Sequence, residues 1–271
     1  MTTRRCALTT YGLLVATLVV VFAPAWALGG WSVLATGGTT TLYPPTREEA
    51  WRLLVPLWAS QLLMGGAAAG AIWWWCHRLG IGVRSGLGLL RPRSPALPPQ
   101  ARVRAEIETG GAFLAMVGAF ALSWISLVVA AAWFPRLVRT GFAIDTVREA
   151  VWTLAATGPP QVIAAVVEET LLVGLVVVAL GAARRPVWEV YAVAVLARVV
   201  LYLPYGWGLV LFAPVAVVGV WVYRRTRRVM PLILAHLVSG VVYAAVVAWW
   251  HWMTAALAPW PLTLARFAHL L

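Results

Sequence analysis

Lysine is absent from the 271-residue sequence, so all 21 basic side chains are arginines. That absence carries no mechanism, but the general scarcity of charge does. Charged residues make up 11% of the chain, against about 25% in a soluble globular domain. A water-soluble protein with a single core is thereby excluded. Cysteine is nearly missing too: Cys6 and Cys76 are the whole supply, which excludes a disulfide framework and a thiolate metal cage. Each reads as an unmodified thiol rather than a juxtamembrane acylation site. HExxH, GxSxG and a rhomboid-like GxSG are all absent, so zincin and serine-nucleophile chemistry lack their usual sequence marks. No internal repeat supports an inverted-repeat transporter. The net charge is +12, yet no basic stripe interleaved with aromatics lies outside the apolar runs, so no nucleic acid partner is expected.

What is present is apolar surface. Hydrophobic residues make up 62% of the chain and the mean hydropathy is +0.85, which also excludes disorder. Several runs exceed the ~20 apolar residues that a helix needs to cross a ~30 Å hydrocarbon core. The pattern predicts an all-α, polytopic helical bundle in the membrane, with spans near 8–29, 51–75, 110–134, 160–181, 187–204, 206–223 and 229–250. Fourteen arginines fall in the loops on one side and six on the other, with Arg198 inside a span. That asymmetry puts the N-terminus and the 77–104 loop in the cytoplasm of a multi-pass cell-membrane protein, in contact with anionic lipid.

Three parts are expected: an N-terminal transmembrane pair over 1–76, a basic cytoplasmic linker over 77–109 centred on RPRSPALPPQ, and a bundle over 110–271. The first span has the layout of a signal peptide with Ala25-Trp26-Ala27 at its end, but its length favours a retained helix. The polar stretch 141–158 is expected to lie in the outer interface as an amphipathic helix. Trp73, Trp74, Trp75, Trp249, Trp250 and Trp252 mark span ends, and Gly66 with Gly70 offers a surface for close helix approach.

The informative residues are ionisable groups inside spans. Glu168 and Glu169 sit midway along the fourth. A charge at the bilayer centre costs about 2.5–3.5 kcal/mol on insertion scales, so it normally faces the bundle interior with a partner. Successive helical residues point about 100° apart, so one carboxylate is expected to face a polar cavity and the other a structural partner. Arg198 in the fifth span is the natural counter-ion, and Tyr202 shares its face. His236 in the last span, followed on the same face by Ser239, completes the set. A glutamate beside an imidazole can take a proton from water that attacks a carbonyl, and hydroxyls can donate to the resulting oxyanion. The same groups would also serve a proton path or a structural polar lock. No cofactor is expected; one histidine with two adjacent glutamates falls short of a three-ligand zinc site, which leaves a divalent metal as a weakly supported alternative.

The intramembrane Glu pair, the RVVLYLPYG segment and RRT…PLILAHL resemble the CAAX-protease/bacteriocin-processing (CPBP) family of intramembrane endopeptidases, over about residues 145–250. The family's motifs read EExxxR, a span-borne His, and HxxxN or HxxxD. The resemblance implies a helical bundle with its site inside the membrane. It also implies that the first Glu and the middle His activate water while the last His and the Asn hold the oxyanion. Glu168 and Glu169 match the pair, and His236 matches the last His. The motif arginine is Val173 here, Tyr202 stands where the middle His belongs, and Gly240 replaces the Asn or Asp. Arg198 and the hydroxyls of Tyr202 and Ser239 are the candidates to compensate.

The expected activity is peptide-bond hydrolysis on a membrane-protein or peptide substrate by glutamate-activated water. The alternatives are a catalytically inactive scaffold or partner-binding subunit, and a small proton-coupled transporter. One geometric demand stands out. Glu168 lies ~24 Å along a helix from Arg184 and His236 only ~12 Å from Arg228. The two meet only if helices tilt or the fourth helix overshoots its neighbours.

Overall fold

The computed structural model describes residues 2–35, 47–88, 99–133, 147–202 and 207–242. Among these residues every regular element is helical. The chain begins with α1 (Thr2–Ala35), α2 (Arg47–Leu79), the short α3 (Val83–Gly86), α4 (Pro99–Trp133) and α5 (Val147–Glu168). A π-helical segment, Glu169–Leu175, joins α5 to α6 (Val176–Ala182) as one continuous rod. Then come α7 (Val187–Tyr202), a 3-10 stretch (Trp207–Phe212) leading into α8 (Ala213–Thr226), and α9 (Met230–Val242). The described part of each expected span falls on one of these rods, and residues 134, 203–204, 206 and 243–250 of those spans lie outside the described residues.

The ends of the rods follow from local chemistry. Pro186, Pro214 and Pro231 stand at or just before the first turns of α7, α8 and α9, where a missing N–H is harmless. At the end of α8, Arg227 adopts a left-handed backbone and donates its N–H to the Tyr223 carbonyl at 2.7 Å. The Thr226 hydroxyl accepts the Arg228 N–H at 3.2 Å and closes the turn.

Two expectations are corrected. Residues 147–158 are not a separate interfacial helix but the beginning of α5, which runs on through Pro159 and Pro160. Proline's fixed φ is itself helical, so the pair removes hydrogen bonds without ending the helix. Residues 141–146 lie outside the described residues, as do the RPRSPALP core of the linker and Trp249, Trp250 and Trp252. Gly66 and Gly70 do not seat a neighbour: a Cβ on either meets nothing within 4 Å. The close approach on α2 is one residue away, where a Cβ on Gly65 would lie 3.1 Å from Ile163 of α5.

Two stretches, Val103–Ser126 and Gly158–Ala182, are long and apolar enough to cross a membrane, and Leu8–Pro24 and Met230–Val242 are shorter apolar helices. One apolar core joins Phe22, Met64, Trp75, Met116, Phe120, Leu171 and Val220. Outside it, large apolar side chains stand exposed on rod after rod, including Val20, Leu62, Leu114, Leu196 and Leu234. Charged Glu168, Glu169 and Arg198 are buried. That is the reverse of a water-soluble surface.

Polar contacts fasten α1 into the bundle. Trp75 of α2 donates its indole N–H to Thr17 at 3.0 Å. Near the start of α7, Tyr11 bonds Glu189, which Arg185 holds in a two-point contact at 2.7 and 2.5 Å. At its far end, Trp26 donates to the Leu201 carbonyl at 3.3 Å, satisfying a carbonyl that the end of a helix leaves open.

The first part of the 77–109 stretch is also docked. Leu87 is fully buried, and the Gly88 carbonyl accepts the Val229 N–H at 3.3 Å. Gly80 and Gly88 both have a φ of 66°, but only Gly88 abuts backbone: a Cβ there would lie 1.9 Å from the Arg227 carbonyl oxygen. Gly88→Ala is expected to destabilise the protein by about 1–3 kcal/mol, clearly more than Gly80→Ala. Thermal unfolding of both variants in detergent checks this, and equal losses would refute the close approach.

Candidate functional site

The polar residues gather where α5 passes into the π-helical segment. Such wide turns are rare in proteins and occur frequently at functional sites. Here all of Glu169–Leu175 is buried. Glu169 is inaccessible, and its Oε1 accepts from Arg198 Nη2 at 2.6 Å and meets His236 Nδ1 at 2.9 Å. Glu168 keeps 8% of its surface accessible, and its Oε2 accepts the Tyr202 hydroxyl at 2.5 Å. Arg198 and Tyr202 are one turn apart on α7, so one helix face serves both carboxylates. α9 supplies the histidine.

The two glutamates have different partners: Glu169 is sealed with Arg198 and His236, and Glu168 meets Tyr202 and keeps some access. The arginine that pairs with Glu169 comes from α7, at Arg198, and not from position 173. Position 173 is unsuited to that arginine because Val173 is buried against α8, where a Cβ on Gly219 would already come within 3.2 Å of it. Ser239 does not serve as a site donor. Its hydroxyl donates to the His236 carbonyl on its own helix at 2.7 Å. Gly240 offers no side chain, and the whole sequence contains no asparagine.

The depth conflict resolves through the start of α9. Val229 lies level with Gly174, 3.8 Å from where its Cβ would be, rather than level with the Arg184 turn. The α5–α6 rod therefore overshoots the α8–α9 turn. Counting inward from that level, His236 and Glu169 reach similar depth.

Aromatic side chains cover this cluster. Phe120 of α4 lies 4.9 Å from the His236 ring, centroid to centroid. Trp124, one turn further along α4, meets Phe212 edge-on at 4.9 Å, and Phe212 lies 5.7 Å from Tyr202. Sequence reasoning missed these residues, whose spacing alone marks only a buried helix face.

Several polar atoms here have no hydrogen-bond partner among the described residues: Glu169 Oε2, Arg198 Nε and Nη1, and Thr170 Oγ1. The donor set does not suit a metal ion. No group of three or more His, Cys, Asp or Glu converges among the described residues, and Glu169 Oε1 is already committed to Arg198 and His236.

The arrangement can do two things chemically. It can hold a carboxylate with residual access beside a phenol, and it can fix an imidazole by one nitrogen while leaving the other. Residues 150–242 match the family described as type II CAAX prenyl endopeptidase, Rce1-like. Through this segment, about a third of its length, the chain is similar to the CAAX-protease (CPBP) family. The match takes in nearly all of α5 through α9, hence Glu168, Glu169, Arg198, Tyr202 and His236, and leaves α1, α2 and α4 outside. No curated protein and no solved structure shows significant similarity to the chain.

Removing one ion of a fully buried pair strands the other, which typically costs about 3–5 kcal/mol, whereas replacing both by apolar groups is often neutral. Arg198→Leu is therefore expected to destabilise the bundle by that amount. Arg198→Met combined with Glu169→Leu should recover most of it. Unfolding of the single and double variants in detergent measures the coupling, and additive losses would refute the pairing.

Proposed function

We propose that the protein is a membrane-embedded endopeptidase of the CAAX type, in which Glu168 activates the attacking water. The single observation that carries this reading is the contrast between the paired carboxylates. Glu169 is sealed off with Arg198 and His236, while Glu168 retains access and a hydrogen-bond donor. The family match supports the reaction class, and the apolar exterior of the rods supports a bilayer around them.

In the proposed reaction Glu168 takes a proton from water as the water oxygen bonds to the carbonyl carbon. The C=O electron pair moves onto oxygen, and the tetrahedral intermediate collapses with cleavage of the C–N bond. The proton held by Glu168 passes to the departing amine. Tyr202 orients Glu168 through Oε2, which leaves Oε1 for the water. As an imidazolium that donates Nδ1–H to Glu169, His236 has an Nε2–H to offer the carbonyl oxygen. No step calls on a metal ion. The substrate is a membrane protein or a peptide held at the bilayer. The polytopic arrangement, with seven spans and a cytoplasmic N-terminus and 77–104 loop, belongs to the same proposal and rests on the arginine asymmetry.

General-base assistance contributes about 10²–10⁴-fold. Glu168→Gln, which keeps shape and removes the base, is expected to lower kcat by that factor in vesicles containing a lipid-anchored fluorogenic peptide, with unfolding temperature unchanged. Undiminished turnover by this variant would overturn the reading.

A further inference from the structure

The proposed hydrolysis lacks a donor. An oxyanion needs more than one preorganised hydrogen bond, and α9 supplies only His236, since position 240 is glycine and the Ser239 hydroxyl is occupied by the His236 carbonyl. A buried serine or threonine on a helix usually settles its hydroxyl on a carbonyl one turn back. Thr17, Thr109 and Thr226 do so here, at 2.7, 2.6 and 2.9 Å. Ser123 of α4 does not: it is 1% exposed, and its Oγ has no hydrogen-bond partner among the described residues.

Its position is specific. Ser123 lies one turn from Phe120, which packs on His236, and beside Trp124, which reaches Tyr202 through Phe212. The α4 segment carrying Ser123 is thus tied to both ends of the site. The other unpaired hydroxyl, that of Thr170, is less well placed. Glu168 turns toward Tyr202, and two residues along a helix is a rotation of about 200°, which carries Thr170 away from that side.

We propose that Ser123 donates a hydrogen bond to the scissile carbonyl oxygen as it becomes an oxyanion. The assignment rests on the hydrolytic reading above and adds to it a catalytic residue from outside the family-matched segment. The ligand group it takes is a peptide carbonyl that acquires negative charge.

The test uses the full chain in lipid vesicles, with Ser123→Ala and Ser123→Thr set beside the wild type. Two readouts are taken: cleavage of a lipid-anchored fluorogenic peptide, and binding of the matching peptide aldehyde, whose hydrate mimics the tetrahedral intermediate. Loss of one oxyanion donor typically lowers kcat by about 10²–10³-fold. Ser123→Ala is expected to show that loss with KM within about two-fold, and to weaken aldehyde binding at least ten-fold. Ser123→Thr, which keeps the hydroxyl, should recover most of both. If the wild type cleaves and Ser123→Ala cleaves and binds equally well, the assignment falls while hydrolysis stands. If the wild type binds the aldehyde without cleaving, hydrolysis falls and the catalytic assignment falls with it, a loss of binding confined to Ser123→Ala then marking the hydroxyl only as a donor to a bound carbonyl. A wild type that neither cleaves nor binds overturns both.

Discussion

Glu169 and Arg198 are both fully buried and 2.6 Å apart, and each makes the other necessary. An isolated ion in an apolar interior carries a desolvation penalty of several kcal/mol, and mutual attraction offsets it only when the geometry holds. The rods around the pair follow from that constraint. α7 must lie against the π-helical segment at Arg198, α9 must enter deeply enough to bring His236 to the same oxygen, and α8 comes close to Val173 at Gly219. The contact is made at a single oxygen of Glu169. Its second oxygen and two of the guanidinium nitrogens therefore remain without partners among the described residues. Replacing a buried ion pair by apolar groups is often neutral, so what this contact contributes is the placement of α7 against the π-helical segment.

The same contact bears on the departure from the CPBP motif at position 173. Position 173 is one helical turn beyond Glu169 on the same rod, and an arginine there would share the carboxylate's own helix. In this chain the charge comes from α7, and position 173 becomes a packing residue against α8. The counter-charge is an interhelical neighbour, with the consequence that α7 is tied to Glu169 by an ion pair. Tyr202, on the same face of α7, then reaches Glu168 without further adjustment. Charge and hydroxyl arrive together because they are four residues apart on one helix.

Much of this was legible from residue pattern. The rods follow from apolar run length, the Glu pair is conspicuous because charge inside a span is costly, and Arg198 stood out for the same reason. The split of the two glutamates followed from the 100° turn between neighbours. Other features depend on tertiary placement and left no local trace. Gly65 rather than Gly66 or Gly70 faces α5, because which side of α2 meets a neighbour is decided by the neighbour. Ser239 bonds its own helix, an option open to any helical serine and invisible in spacing. The continuity of α5 through Pro159 and Pro160 was hidden by polarity in 147–158, which reads as a surface helix when taken alone. The level at which α9 begins could not be derived from loop charges, since arginines mark a side of the membrane and not a depth.

Placing α4 at the site changes what the family-matched segment can be expected to do alone. Residues 150–242 contain both carboxylates, the arginine, the tyrosine and the histidine, yet His236 packs against Phe120 and Tyr202 is backed by Trp124 through Phe212. An imidazole with one nitrogen fixed can still pivot about that bond, and a ring packed at 4.9 Å restricts the pivot. A phenol bonded to a carboxylate can likewise swing unless its ring is held. Polar contacts in this bundle thus fix atoms, and aromatic contacts from outside the matched segment fix planes. Orientation at a reacting centre needs both, so the less recognisable half of the chain is part of the site and not merely an anchor for it.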